Sequence, residues 1–238
     1  MSDRERPHPF DHETAPEDYT GHVEPGGPWA LRLLSSLMIR KASVGPMDNN
    51  AYLLTCRVSG AQLLIDAAAD PQRLQQMVRA GSPTSRLDTI VTTHSHHDHV
   101  GALPAMVAAT GAHTAVGAAD AEDIPTPTDQ LLHHGDLVRV GVHDLEVIGL
   151  RGHTPGSIAL LWRGGADGDH LFTGDSLFPG GVGATQGDRQ RFEQLIGDVS
   201  ERIFDRLGDE TWVYPGHGDD TTLGAERPHL QEWRDRGW

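Results

Sequence analysis

Apolar positions along the chain fall into two runs of short strands, each closed by a helix. Leu31 to Val44, Ala51 to Val58 and Gln62 to Ile65 carry alternating or continuous apolar residues. Gly45-Pro46-Met47-Asp48-Asn49-Asn50 and Ser59-Gly60 separate them, so they read as successive antiparallel strands. Leu74, Met77 and Val78 then recur at helical spacing between Pro71 and Ala80, with Asp70 as N-cap and Gly81 as the stop. The short β-branched stretch Asp88 to Thr93 predicts a buried strand, followed by a helix over 102–110 and a strand over 114–116. A polar connection over 120–135 has the length and composition of a loop that borders a pocket. Strands over 137–142, 145–150, 157–162 and 170–173 repeat the opening rhythm. Phe192, Leu195, Ile196, Val199, Ile203, Phe204 and Leu207 then share one face of a helix over 191–207 that Gly208 ends. Thr211 to Tyr214 supplies a last strand, and 226–238 a closing helix or irregular tail. Two sheets that each need an outer cover predict an α/β protein, a four-layer αββα sandwich with the sheets face to face and helices outside.

Composition narrows this picture. Residues 1–28 are rich in Pro, Glu, Asp and His and poor in apolar side chains, which predicts a flexible N-terminal arm preceding a domain over 29–238. His8, His12 and His22 in this arm read as solvated surface histidines. The formal net charge of −15 disfavours nucleic acid, which calls for a basic stripe absent here, and leaves small-molecule substrates. No apolar run approaches the roughly 20 residues that span a bilayer, so no membrane segment is expected. The mixed charge at the start of the chain and the single cysteine, Cys56, fit a cytoplasmic protein. Oligomeric state is not legible.

The chemistry concentrates in His94-Ser95-His96-His97-Asp98-His99, at the end of the β-branched strand. Three imidazoles and a carboxylate at alternating and adjacent positions are the donor set of a metal site. Further ligand-type residues recur where an apolar strand gives way to glycine: Gly152-His153-Thr154-Pro155-Gly156-Ser157, Thr173-Gly174-Asp175-Ser176-Leu177-Phe178, Tyr214-Pro215-Gly216-His217-Gly218 and, earlier, Leu64-Ile65-Asp66. Glycine lets these backbones turn sharply and approach a common site. His97 reads as a surface residue or a support to the ligands and not as a ligand; His113, His133, His134, His143, His170 and His229 read as ordinary exposed or loop histidines, though His133 and His134 could line the pocket.

In the order HxHxDH, GHTPGS, TGDSLF and PGHG, from about Leu37 to His217, the chain resembles the metallo-β-lactamase fold superfamily and, within it, the glyoxalase II-like hydrolases. The resemblance implies that His94, His96 and His153 bind one metal ion, that Asp98, His99 and His217 bind a second, and that Asp175 bridges them. Asp66 matches an acidic motif whose role is to orient a ligand imidazole. Two divalent ions are implied, zinc first, with iron or manganese also compatible with imidazole and carboxylate donors. The implied reaction is attack of a hydroxide held by the two ions on the carbonyl of a thioester, ester or lactone, with Asp98 helping to orient the nucleophile. Asn49, Asn50 and Tyr52 resemble an Asn-x-Tyr segment beside the active site, and a turn followed by a strand accounts for them equally. Glyoxalase II proper carries glutathione-binding residues on a C-terminal helical extension, whereas this sequence ends at Trp238, so the metal chemistry transfers and the glutathione specificity does not. Asp175 stands where many β-lactamases of the fold have cysteine.

Two other functions stay open at this level. Relatives that oxygenate persulfides use one iron held by residues matching His94, His153 and Asp175. A noncatalytic metal-binding protein on the same fold is the third reading.

Overall fold

The computed structural model describes residues 19–237. Strands β1 (Ala30–Leu33), β2 (Leu37–Val44), β3 (Asn49–Cys56) and β4 (Gln62–Ile65) form an antiparallel meander. Helix α1 (Pro71–Gly81) then crosses over to β5 (Thr89–Thr92), which lies parallel to β4. The helical turn α2 (His97–Val100) and helix α3 (Leu103–Thr110) lead to β6 (His113–Gly117), and β7 (Gln130–Leu132) completes the sheet in the order β1-β2-β3-β4-β5-β6-β7. The second sheet runs β15-β14-β11-β10-β9-β8. Its strands are β8 (Leu137–Val140), β9 (His143–Gly149), β10 (Ile158–Arg163), β11 (Asp169–Gly174), β14 (Trp212–Pro215) and β15 (Thr221–Thr222). A small ribbon of β12 (Leu177–Phe178) and β13 (Gly181–Val182) stands apart.

Strand periodicity sorts side chains into layers. Along β3, Tyr52, Leu54 and Cys56 enter the core between the sheets, where they meet Val147, Leu160, Phe172 and Tyr214 of the second sheet. The intervening Ala51 and Leu53 face outward and pack under Leu74 and Met77 of α1 and Leu103 and Met106 of α3. On the far side, Ile148, Ala159, Leu161, Leu171 and Val213 are covered by Phe192, Leu195, Ile196 and Val199 of α4 (Arg189–Val199). The order helix, sheet, sheet, helix is the predicted αββα sandwich. Rings stiffen the central layer: Tyr52 meets Phe172 edge-on at 5.4 Å, and Phe172 stacks on Tyr214 at 4.5 Å.

Helix termini follow their local signals. Asp70 caps α1 by accepting from Arg73 N, with Pro71 at the first helical position. Asp188 caps α4 by accepting from Gln190 N and Arg191 N, so this helix starts before the expected 191. It ends at Val199, and Ser200–Phe204 continues as a π-turn instead of an unbroken helix to 207. The expected strand over 31–44 is two strands, because the chain reverses at Leu34–Leu37, with Leu34 N bonded to the Leu37 carbonyl at 3.0 Å, and β1 folds back antiparallel on β2; Ser35 at the turn bonds Asp167. The connection over 120–135 is less open than its composition implied, since a 3₁₀ turn over Ala118–Asp123 and strand β7 occupy much of it. The tail contains α5 (Leu223–Glu226) and α6 (Leu230–Arg236), with Trp233 buried against Phe204.

Residues 1–18 of the expected arm, including His8 and His12, lie outside the described residues. The segment 19–28 lies against the sandwich: Tyr19 packs beside Trp212 and Val23 is buried. Among the described residues no helix is long and apolar enough to cross a membrane.

Candidate metal centre

The β-branched strand β5 delivers its ligand-type residues by a change of backbone conformation. His94 and His96 follow in extended chain, two residues apart, so their rings share one side. At His96 the backbone is still extended (φ −61°, ψ 140°), and α2 begins at the next residue, which turns Asp98 and His99 toward a different quarter of the same hollow. His97 takes the outward side of that turn and is 91% exposed. Loops from the second sheet then bring in His153 after β9, Asp175 after β11 and His217 after β14.

These residues converge in overlapping groups. Ligand atoms of His94, His96 and His153 lie within 4.8 Å of one another, as do those of Asp98, His99 and His217, and those of His94, His99 and Asp175. Asp175 sits between the halves: its Oδ2 is 3.6 Å from His153 Nε2, 4.0 Å from His94 Nε2 and 3.4 Å from His217 Nε2, and its Oδ1 is 3.3 Å from His99 Nε2. Asp98 Oδ2 is 3.3 Å from His217 Nε2 and 3.6 Å from His99 Nε2.

The other nitrogen of four rings is already engaged. His99 Nδ1 donates to Asp66 Oδ2 at 2.9 Å, His153 Nδ1 to the Ala184 carbonyl at 2.9 Å, and His217 Nδ1 to the Met47 carbonyl at 2.8 Å. His94 Nδ1 lies 3.0 Å from Thr93 Oγ1, whose hydroxyl donates onward to Asp66 Oδ2 at 2.8 Å. Each of these partners accepts a proton held on Nδ1, which leaves the Nε2 lone pair bare and pointing inward. Nε2 of His94 and of His153 are buried without a hydrogen-bond partner, and Nε2 of His99 and His217 face each other at 3.1 Å. Two orphaned ring nitrogens, and two more that can face each other only with a proton or a metal ion between them, are costly unless a cation sits there. The donor set of imidazoles and carboxylates therefore fits a divalent metal ion in each half.

Charge perturbations agree with this arrangement. Burial holds His94 well below the ordinary imidazole range, and His99 and His153 nearby push it further. Burial likewise lowers His153. His99 goes the other way: burial opposes its charged form, but Asp175 and Asp66 outweigh it and raise the ring to about 10. His217 is raised because Asp175 overcomes its burial. Asp98 and Asp175 are held below the usual carboxylate range by neighbouring imidazoles, and by Asn49 in the case of Asp98, despite burial. The pocket is thus a place where carboxylates demand a cation.

Asp66 occupies the centre of the support. It adopts a left-handed conformation (φ 58°) at the end of β4, and it also accepts from Thr93 N at 2.7 Å. Gly216 brings the last loop in closely, since a Cβ there would lie 2.1 Å from Asp175 Oδ1. Asn49, which the sequence left between turn and function, donates from Nδ2 to Asp98 Oδ2 at 2.9 Å. Asn50 Nδ2 and Tyr52 Oη both donate to the Pro215 carbonyl, at 2.9 and 2.7 Å, and so hold the His217 loop. Thr93 and Asp120 were not singled out by the sequence; polar residues beside apolar strands carry no signal of the partner that the fold supplies. His133 and His134 line a different cavity, with Arg151 and Arg202. His170 is not a surface histidine: it is buried between Trp162 and Tyr214, with Nδ1 2.8 Å from the Tyr214 hydroxyl.

Comparison with known proteins gives concordant results. A family model described as the metallo-beta-lactamase superfamily matches residues 44–223. A protein of Fuscovulum blasticum named hydroxyacylglutathione hydrolase is 42% identical over 136 residues, which are 57% of this chain and 51% of that protein. The chain thus spans about half the length of that curated relative. Among solved structures, the BLEG-1 B3 metallo-beta-lactamase superposes with a TM-score of 0.71 at 25% identity, covering 81% of this chain and 98% of that one. A protein crystallised in a di-iron-bound form gives a TM-score of 0.65 at 30% identity, covering 79% of this chain and 96% of that one.

Proposed function

Because the chain belongs to the metallo-β-lactamase superfamily, we propose that it is a dinuclear metal-dependent hydrolase that cleaves a thioester, ester or lactone. The observation that carries this reading is the set of inward Nε2 atoms on His94, His99, His153 and His217, each freed by a partner at Nδ1, around Asp175 and Asp98. His94, His96 and His153 would hold one ion and Asp98, His99 and His217 the other, with Asp175 shared. Bound there, two divalent ions supply Lewis acidity at a substrate carbonyl and acidify water to a nucleophile at neutral pH. The protein's part is orientation: Asp66 holds His99 directly and His94 through Thr93, Asn49 holds one oxygen of Asp98, and Asp98 would help orient the nucleophile. Similarity to hydroxyacylglutathione hydrolases favours a thioester substrate. Zinc is the first choice of metal, and the neighbour solved with two irons keeps iron alongside it.

The test is anaerobic purification with elemental analysis, followed by a panel of thioesters, esters, lactones and β-lactams. Two ions per chain and hydrolysis of a thioester are expected. A second reading has geometric support, since His94 and His153 flank the same Asp175 oxygen: a single iron there, with oxygen consumed on a persulfide, would replace hydrolysis. One iron per chain with stoichiometric oxygen uptake decides for that reading. Metal-loaded protein inert toward every substrate would favour a noncatalytic metal-binding role.

A further inference from the structure

Two buried carboxylates outside the ligand set each grip one half of the metal centre. Asp120, fully buried in the 3₁₀ turn after β6, accepts from Ser95 N at 2.9 Å, from Thr154 Oγ1 at 2.6 Å and from Gly156 N at 2.6 Å. Ser95 lies between His94 and His96, and Thr154 follows His153. One side chain thus ties the two loops that carry the three imidazoles of the first half. These loops come from different sheets, and only a single main-chain bond, Ile158 N to the Thr93 carbonyl at 2.9 Å, joins their bases among the described residues. The approach is tight: a Cβ on Gly156 would lie 2.4 Å from Asp120 N, and one on Gly117 would lie 1.9 Å from the Gly156 carbonyl oxygen. Glycine at both positions is what lets the turn reach the His153 loop.

The second half has its own grip, in a different part of the fold. Asp220, with no exposed side-chain surface, accepts from Lys41 Nζ at 2.7 Å, Tyr19 Oη at 2.7 Å and Trp212 Nε1 at 2.9 Å. Lys41 Nζ, equally buried, donates also to the carbonyls of Gly218 at 2.7 Å and Gly21 at 2.6 Å. Gly218 follows His217 directly. The pair therefore fastens the His217 loop to β2 and to the segment 19–22, just beyond the isolated bridge that pairs His217 with Asn49.

We propose that Asp120 and the Lys41–Asp220 pair are independent positioning elements, Asp120 setting affinity for the ion of the His94, His96 and His153 half, and Lys41–Asp220 setting affinity for the ion of the Asp98, His99 and His217 half. None of these side chains is among the ligands; each acts by fixing where loop-borne imidazoles stand. An amide in place of Asp120 that keeps its oxygen toward Ser95 N and Thr154 Oγ1 presents its NH2 to Gly156 N–H, so the grip on the His153 loop is weakened. Removing the Lys41–Asp220 pair together, instead of one member, avoids stranding a buried charge.

This inference rests on the proposed metal centre, and the experiment separates the two. His217→Ala and His96→Ala parents each retain one intact half. Each parent is stripped by chelation, and Zn²⁺ affinity is measured by competition with a chromophoric chelator, with Co²⁺ absorption spectra reporting coordination. Asp120→Asn is expected to weaken Zn²⁺ binding about 10- to 100-fold in the His217→Ala parent and to change it less than about twofold in the His96→Ala parent. The double variant Lys41→Met with Asp220→Asn is expected to do the reverse. General destabilisation predicts equal losses in both parents, so equal losses overturn the inference, as does unchanged affinity throughout. If neither parent binds Zn²⁺, the metal-centre reading falls and takes this one with it. Should the double variant not fold, Tyr19→Phe with Trp212→Phe, which removes two donors from Asp220 and keeps the ion pair, carries the same selective expectation.

Discussion

Replacing Asp66 by asparagine removes a charge from a side chain that supports the Nδ1 side of rings in both halves of the site, while leaving the backbone at ease. Asparagine is among the few residues that tolerate the left-handed conformation found there (φ 58°). One amide atom can still accept from Thr93 N. The other becomes a donor and meets two donors, the Thr93 hydroxyl and His99 Nδ1–H. The least costly response is a switch of tautomer: His99 moves its proton to Nε2, and Thr93 turns its hydroxyl to accept from the amide and donate to His94 Nδ1, which moves that proton to Nε2 as well. Both lone pairs that point into the site are then lost. Loss of such support typically weakens metal binding by about 10- to 100-fold. Two charge-assisted hydrogen bonds at about 1.5 to 3 kcal/mol each place the destabilisation of the metal-free protein near 3 kcal/mol or above. Long-range ¹⁵N imidazole spectra read the tautomers directly, a chelator competition reads affinity, and urea unfolding reads stability. If His94 and His99 keep Nδ1 protonated and Zn²⁺ affinity is unchanged in Asp66→Asn, the relay from Asp66 to the rings does not exist.

Other outcomes follow from the same geometry. His96→Ala and Asp175→Ala are each expected to lower bound metal and turnover sharply with an unchanged circular dichroism spectrum; full activity in either refutes the ligand assignment. Asn49→Ala frees Asp98 Oδ2 and should weaken one ion by about tenfold with stoichiometry still approached at excess metal, measured by titration. In Gly216→Ala the new methyl would lie 2.1 Å from Asp175 Oδ1 and 2.8 Å from His99 Cε1, so metal content by elemental analysis should fall although the protein folds. His170 is buried as the neutral ring, chiefly because burial lowers its pKa from 6.5 to about 4, with Arg32 adding to the effect. Its stability is fully present above pH 6.5; below that the unfolded chain takes up the proton first, and the contribution is lost as pH falls toward 4, by about 3 kcal/mol in all. His170→Gln should remove that part of the slope, seen as the difference between wild-type and variant urea midpoints from pH 7 to pH 4; identical slopes would show that His170 does not titrate there.

The sequence by itself determined the layers and the donor set. Near-continuous apolar runs along β3, β4 and β10 give those strands two apolar faces, and only a sheet covered on both sides satisfies that. The ligand-type residues stand at strand ends beside glycine, where local chemistry alone marks them. Asp70 before Pro71 is equally local, and the cap forms as expected. What the sequence left open depends on partners distant in the chain. The turn at Leu34–Leu37 meets Asp167 through Ser35 from across the fold, and His170 is buried because two aromatic strands close on it. Asp120, Lys41 and Thr93 carry no periodic or motif signature, and the turn reading fitted Asn49 equally well, since a lone polar residue declares its role only when folding brings its donor or acceptor within reach. The division of His94 to His99 into two halves is of the same kind. Extended chain followed by a helical turn aims the rings, but His153, Asp175 and His217 reach them only when the second sheet packs on the first.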